Sequence, residues 1–385
     1  MSSVVLSERI VRLKSSMVRD ILAAAQAPSV ISFAGGLPAA EVIPRLRGLD
    51  VPAEFCQYGA TEGEPQLRAL ISAELRARGL VCPAERILIL SGSQQGIDLV
   101  SKLFIDIGSA VLAEEPTYLA ALQVFQLLGA RIHGLPLSRS GVDTTQLAQL
   151  AQRTQPRFAY FVPTFQNPTG FTHEHDARRA IARVLDQANV PLFEDDPYRE
   201  LAFDGPAPIP IAAHMQQSPW VYQSSFSKMF MPGIRLGFLA ASPELFAPLV
   251  RLKQAADLHA NRISQWLAVR DLLDPARPQR LAQLREHYRD KRDAFERALR
   301  VHLGALADWS LPSGGLFFWL RLKQPRDLIA LLPRALAQGV AFVPGDAFFS
   351  SDHPPRGYLR LNFSHAPPEL VDEGLSRLST LLRTH

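Results

Sequence analysis

The sequence predicts an α/β protein, a mainly parallel sheet sandwiched by helices and joined to a smaller α+β domain. Three observations carry this. The 385 residues are 47% hydrophobic, which supplies a large core and excludes a disordered chain or a disulfide miniprotein. Short β-branched or aromatic runs alternate with helical patterns through the middle of the chain, as βαβ units require. From about Leu281 that alternation gives way to a long charged helix followed by strands.

The elements follow in order. Arg86 to Leu90 reads as a strand, Gln95 to Asp106 as a helix, Ala110 to Ala113 as a strand and Tyr118 to Leu128 as a helix. Arg131 to Leu135 then precedes a helix at Asp143 to Gln152, and Phe158 to Val162 precedes one near Asp176 to Gln187. Strands at Pro191 to Glu194, Trp220 to Ser224 and Gly237 to Ala240 complete the large domain. Strands alternating with helices in this way imply a mainly parallel sheet buried on both faces. Beyond the charged helix come strand-like Leu316 to Leu322, a helix near Arg326 to Gln338, and strands at Val340 to Val343 and Tyr358 to Phe363. The expected division is a large domain over 31–280 and a small one made of 1–30 and 281–385, the N-terminal piece having too little core to fold alone.

The formal charge of +4 invites a nucleic-acid reading, but nearly all of it is arginine, with no basic stripe interleaved with aromatics. Arginine forks onto carboxylates and phosphates, whereas lysine can shed its proton and act as an amine. The lysines are Lys14, Lys102, Lys228, Lys253, Lys291 and Lys323, a short list for amine chemistry. No apolar run is long enough to span a membrane, and the N-terminus is charged where a signal peptide is apolar, so a soluble, cytoplasmic protein is expected. Cys56 and Cys82 read as reduced thiols. His173 and His175 lack the spacing that places two imidazoles on one helical face, and read as solvated surface with no metal role.

Four segments carry chemistry. SGSQQG after the first strand offers helix-terminal amides with the hydroxyls of Ser91 and Ser93, a cradle for a phosphate, although a plain capped turn reads the same way. It lacks the GK and hydroxyl of a nucleotide-hydrolysing loop. VPTFQNPTG ends a strand in a rigid polar loop where Asn167 can present its amide to a ligand or simply make a turn. LFEDDPY sets three acids at the end of a buried strand, where they need a partner, whether a metal or a cationic ring nitrogen. SSFSKMFMPGIR puts Lys228 just past a strand with Arg235 seven residues on, a setting that disfavours the ammonium form. Lys14 and Lys323 have no such setting, Lys291 sits in a charged, solvated helix, and Lys102 and Lys253 read as helix-surface residues.

Together with SFAGGLP, QYGATEG, EEPTY, PSGG, VPG and LRLNFS, these motifs in this order resemble the fold type I aminotransferases that depend on pyridoxal 5′-phosphate. The similarity runs from about residue 15 to the C-terminus and looks closest to the aminoadipate, kynurenine and broad-specificity branch. It implies a mainly parallel, seven-stranded-type sheet. It also implies that Lys228 forms an imine with the cofactor aldehyde and then shuttles the substrate proton. Asp195 would keep the ring nitrogen protonated, Tyr198 and Asn167 would bond the ring oxygen, and Tyr118 would lie against the ring face.

For the phosphate the matching positions are Ser93, Gln94, Ser225 and Arg235, with Tyr58 reaching the phosphate of a neighbouring subunit, so a homodimer with shared sites is expected. Arg360 would fork the substrate α-carboxylate, and Gly36 would let backbone approach the substrate closely. Asp196 reads as structural. Arg19 falls where some relatives read a distal carboxylate, or is a solvated helical arginine. Phe348 is expected near the pocket to accept large apolar side chains.

The resulting expectation is ping-pong transfer of an amino group from an aminoadipate-like, aromatic, branched or aliphatic L-amino acid to a 2-oxo acid such as 2-oxoglutarate. Two other readings share the scaffold: a different reaction at Cα, such as decarboxylation, cyclisation or oxidation, and a non-catalytic cofactor-binding regulator. The regulator is disfavoured because the resemblance begins near residue 15, ahead of which no DNA-binding domain fits.

Overall fold

The computed structural model describes residues 4, 6–13, 21, 27, 29–46 and 48–384. Its strands are β1 (Ile31–Ser32), β2 (Ile87–Leu90), β3 (Ala110–Glu115), β4 (Arg131–Ser138), β5 (Gly141–Val142), β6 (Ala159–Phe161) and β7 (Leu192–Asp195). They continue with β8 (Trp220–Ser225), β9 (Gly237–Ala241), β10 (Ala307–Trp309), β11 (Phe317–Leu322), β12 (Val340–Ala341), β13 (Val343–Pro344) and β14 (Tyr358–Asn362).

The large sheet has the order β2-β9-β8-β7-β6-β3-β4-β5. Strands β4, β3, β6, β7 and β8 pair in parallel, and β9 runs against both β8 and β2. Hence β2 points the same way as the parallel strands, and six strands share one carboxyl-terminal edge. The expected seven strands gain an eighth, the two-residue β5, which folds back on β4 through the turn at Ser138 to Gly141.

Every residue of β2 is buried. Ile87 and Ile89 join one apolar cluster with Leu67, Ile71 and Leu75, while Leu88 and Leu90 join another with Ile97, Val100 and Phe125 on the opposite face. Side chains alternate across a strand, so a sheet covered by helices on both faces needs apolar residues at every position.

The second sheet, β10-β11-β14-β13, is antiparallel throughout and rests on the long helix Arg277–Leu303. Phe295 from that helix stacks on Phe318 of β11 with ring centroids 5.5 Å apart. The expected single strand Val340 to Val343 is two: β12 pairs in parallel with β1, and β13 pairs with β14. Phe33, next to β1, belongs to the same apolar cluster as Phe295 and Phe318. Helices at Pro65–Ala77, Pro243–Asp257, Arg262–Leu273 and Pro368–Thr384 complete the layers. Among the described residues no helix is long and apolar enough to cross a membrane.

Two lysines depart from their expected surface positions. Lys253 is fully buried, because helix Pro243–Asp257 packs its last turn onto the N-terminus of helix Ser93–Phe104. Lys291 is buried against the N-terminal segment, where it donates to Glu41 Oε1 at 3.0 Å. His173 is likewise buried rather than solvated: the loop after β6 folds it inward, where its Nε2 meets Glu114 Oε1 at 2.7 Å.

Candidate functional site

The shared edge of the large sheet opens into a cavity of about 700 Å³. Such edges collect ligands because the strand ends and helix N-termini converge there. Ser93 begins the helix after β2, Tyr118 follows β3, Asn167 follows β6, Asp195 ends β7, and Ser225 ends β8 with Lys228 three residues on. All six line the cavity, as do Gln94, Tyr198, Arg235, Gly36 and Arg360. Arg360 is carried by β14 of the second sheet, opposite Trp319 of β11.

Lys228 is half-buried in the cavity wall, and its Nζ donates to the Gly36 carbonyl at 2.8 Å. Burial, with help from the charges of Arg360 and Arg235, lowers its pKa to about 8. Near neutral pH a usable fraction is therefore free amine, the form that attacks carbonyls and accepts protons.

The three acids of β7 and the residue after it part company by strand alternation. Glu194 accepts the amides of Ile211 and Ala212 at 3.1 and 2.8 Å, with Arg178 3.8 Å away. Asp196 pairs with Arg199 at 2.5 Å and accepts from Tyr222 at 3.1 Å. Between them only Asp195 faces the cavity, with Tyr160 donating to its Oδ2 at 2.7 Å and no partner for its buried Oδ1. Burial raises its pKa to about 6, and the bond from Tyr160 draws it back. A buried carboxylate oxygen without a partner fits a protonated ring nitrogen.

Arg360 is 4% exposed, with its guanidinium 4.4 Å from the Phe317 ring centroid and 5.1 Å from that of Phe348. Its Nη1 donates to Asn167 Oδ1 at 2.7 Å and its Nη2 to the Ala34 carbonyl at 2.6 Å. Burial lowers its pKa to about 10, so it remains charged at neutral pH. Phe348, expected in the pocket wall, is instead fully buried between Arg360 and Trp319 and does not line the cavity. Tyr118 is raised to about 12, chiefly by burial, and stays a neutral donor, its hydroxyl 3.4 Å from Gln94 Oε1.

At the phosphate cradle the helix cap is Gly92, with φ of 83°. A Cβ there would lie 2.7 Å from Arg235 Nη2, so glycine both permits the turn and admits the guanidinium. Ser93 and Gln94 then offer amides with no acceptor in their own helix. With two serines and Arg235 close by, these groups fit a phosphate and the lysine fits an aldehyde.

Two expected site residues stand apart. Tyr58 does not line the cavity; it is 76% exposed, edge-on to His259, with its loop held by Arg262 through the carbonyls of Glu54, Gln57 and Tyr58. Arg19 lies outside the described residues. Conversely, Tyr160 under Asp195 and Ser227, which also lines the cavity, are absent from the sequence reading. Tyr160 sits mid-run in FAYFV, where only the observation that β6 and β7 are neighbours points it at Asp195.

Known proteins resemble this chain over nearly its whole length. The family model for aminotransferase class I and II matches residues 34–378. The 2-aminoadipate transaminase of Thermus thermophilus is 37% identical over 384 residues, covering 97% of this chain and 95% of that one. Aromatic-amino-acid aminotransferase 1 of Thermococcus litoralis is 34% identical over 392 residues, 98% of this chain and 94% of that one. The crystal structure of an α-aminoadipate aminotransferase from Thermus thermophilus, complexed with N-(5′-phosphopyridoxyl)-L-leucine, superposes with a TM-score of 0.87 at 35% identity. The match covers 98% of this chain and 97% of that one.

Proposed function

The chain belongs to the class I and II aminotransferases, fold type I enzymes that act with pyridoxal phosphate, and from that premise we propose how its own residues divide the work. Bound, the cofactor supplies an aldehyde and an electron-withdrawing ring. Lys228 Nζ would hold the cofactor through its aldehyde and would accept the proton from substrate Cα. Asp195 holds the proton of the ring nitrogen through its unpartnered Oδ1. Asn167 and Tyr198 bond the ring oxygen, and Tyr118 holds the plane of the ring. Ser93, Gln94, Ser225 and Arg235 bind the phosphate. Arg360 receives the α-carboxylate as a fork, which fixes the orientation of the Cα bonds, while Gly36 admits the substrate close to backbone.

The observation that carries this reading is the convergence, on one cavity, of an amine lowered to about 8, a buried acid and a buried guanidinium. The donor is an L-amino acid of the aminoadipate, aromatic or aliphatic kind, and the acceptor is a 2-oxo acid, 2-oxoglutarate, in a ping-pong cycle. The relatives' substrates favour this range, and so does a wall that mixes Leu37, Leu119, Ala120 and Val162 with Gln123. Arg19 is proposed to read a side-chain carboxylate. Residues 31–280 form the cofactor domain, and 1–30 with 281–385 the domain that closes on substrate.

We further infer a cytoplasmic homodimer in which Tyr58, exposed on the single subunit, completes the neighbour's phosphate site. A single-turnover panel of amino acids, read by conversion of the cofactor to its amine form and its return with 2-oxoglutarate, tests the substrate range. Failure of 2-oxoglutarate to restore the aldehyde form refutes that acceptor.

A further inference from the structure

Lys253, fully buried, has no part in the scheme above, yet it lies at the back of the phosphate cradle. Its Nζ donates to Gln95 Oε1 at 2.9 Å and to Asp257 Oδ1 at 2.5 Å. Asp257 Oδ2 in turn accepts from Ser91 Oγ at 2.7 Å and from Gln95 Nε2 at 2.8 Å. Gln95 Oε1 also accepts the Ser91 amide at 2.9 Å. Ser91 and Gln95 flank Gly92, Ser93 and Gln94, so both ends of the cradle are fastened to one ion pair on helix Pro243–Asp257.

The sequence makes this fastening necessary. A helix start normally takes a side-chain cap from Ser, Thr, Asp or Asn, but Gly92 has none to give. Gln95, the third helical residue, instead reaches back past the cap to accept the amide of Ser91, the residue before it. That leaves the amides of Ser93 and Gln94 free for an anion. A glutamine carbonyl alone is a weak latch; the ammonium of Lys253 gives it a charged, buried partner. The same ammonium balances Asp257, whose carboxylate would otherwise add negative charge behind the site of an incoming phosphate. Its bonds to Lys253, Ser91 and Gln95 keep Asp257 ionised.

We propose that Lys253 and Asp257 are positioning residues for the cofactor phosphate, acting through Gln95 to hold the Ser91–Gln95 turn in its anion-binding shape. This rests on the assignment of that turn to the phosphate.

The test compares pyridoxal phosphate with pyridoxal, which carries the same aldehyde and ring without the phosphate. Full-length protein stripped of cofactor is titrated with each by visible absorbance, as wild type, Lys253→Met and Asp257→Asn. Wild type that fails to prefer pyridoxal phosphate overturns the phosphate assignment and this proposal with it. With that preference present, Lys253→Met is expected to lower it at least tenfold and Asp257→Asn by a smaller factor, each leaving pyridoxal affinity unchanged. An undiminished preference, or equal weakening toward both aldehydes, overturns the proposal alone. Asp257 is partly exposed, so Asp257→Asn decides the matter if Lys253→Met does not fold.

Discussion

Tyr160 donates its hydroxyl to Asp195 Oδ2 at 2.7 Å, from one buried strand to the end of the next. The tyrosine stabilises the carboxylate, since a hydrogen bond to the charged form favours that form. Tyr160→Phe is therefore expected to raise the Asp195 pKa further. The acid limb of the pH profile for the first half-reaction should move up by about one pH unit, the worth of one charged hydrogen bond. An unmoved limb would separate Asp195 from that ionisation.

The same carboxyl makes the cofactor-free protein pH-sensitive. Its folded pKa of about 6 lies above the ordinary 3.8, so between those values the folded state holds the extra proton. Stability from this group is full below about pH 4 and is lost as pH rises through 6. Asp195→Asn should stabilise the stripped protein at pH 8 by roughly 3 kcal/mol, each tenfold change in proton affinity being worth about 1.4 kcal/mol, with the gain shrinking toward pH 4. Denaturant midpoints at the two pH values measure it, while activity is lost at both.

Lys228 titrates in the opposite sense. Its pKa is lowered to about 8, so the neutral amine grows as pH rises toward that value and then levels off. The rate at which stripped protein captures pyridoxal phosphate should climb about tenfold per pH unit below pH 8 and flatten above it. Lys228→Ala should remain without the visible absorbance altogether.

Arg360 contributes to that depression after burial itself. Arg360→Gln should therefore shift the capture profile to higher pH while also removing the carboxylate fork. The expected loss in kcat/KM for amino acids is about 100-fold or more, near 3 kcal/mol. A variant with unchanged capture and unchanged kcat/KM would contradict both roles.

Gly92→Ala should weaken cofactor binding by about tenfold. The backbone at φ 83° disfavours a side chain, and the new Cβ would press on Arg235. Equilibrium dialysis of pyridoxal phosphate reads the effect.

The alternating apolar runs announce β2, β3, β6, β7 and β8, and with them the edge on which the site stands, because strand period and burial on both faces leave a local signature. Lys228, Asp195 and Asn167 are legible for the same reason, each lying in a distinctive segment at or just after the end of such a run. What escapes is contact between distant segments. Lys253 reads as a helix-surface residue; only the packing of its helix onto Gly92 and its neighbours buries it. His173 meets Glu114 across 59 positions, and Phe348 turns away from the cavity to flank a guanidinium. The two-residue strands β12 and β13 divide where Phe342 lets the chain change partners, which no local period marks.

The carbonyls of Ala34 and Gly36 give a further meaning to the two cations. Arg360 and Lys228 each commit a hydrogen bond to this short stretch, at carbonyls two residues apart. An arriving carboxylate at Arg360 thus displaces an existing companion. That encounter becomes an exchange at nearly constant hydrogen-bond number, with the guanidinium already stripped of water. The stretch that is let go joins the reacting groups to β1, and through β12 to the second sheet.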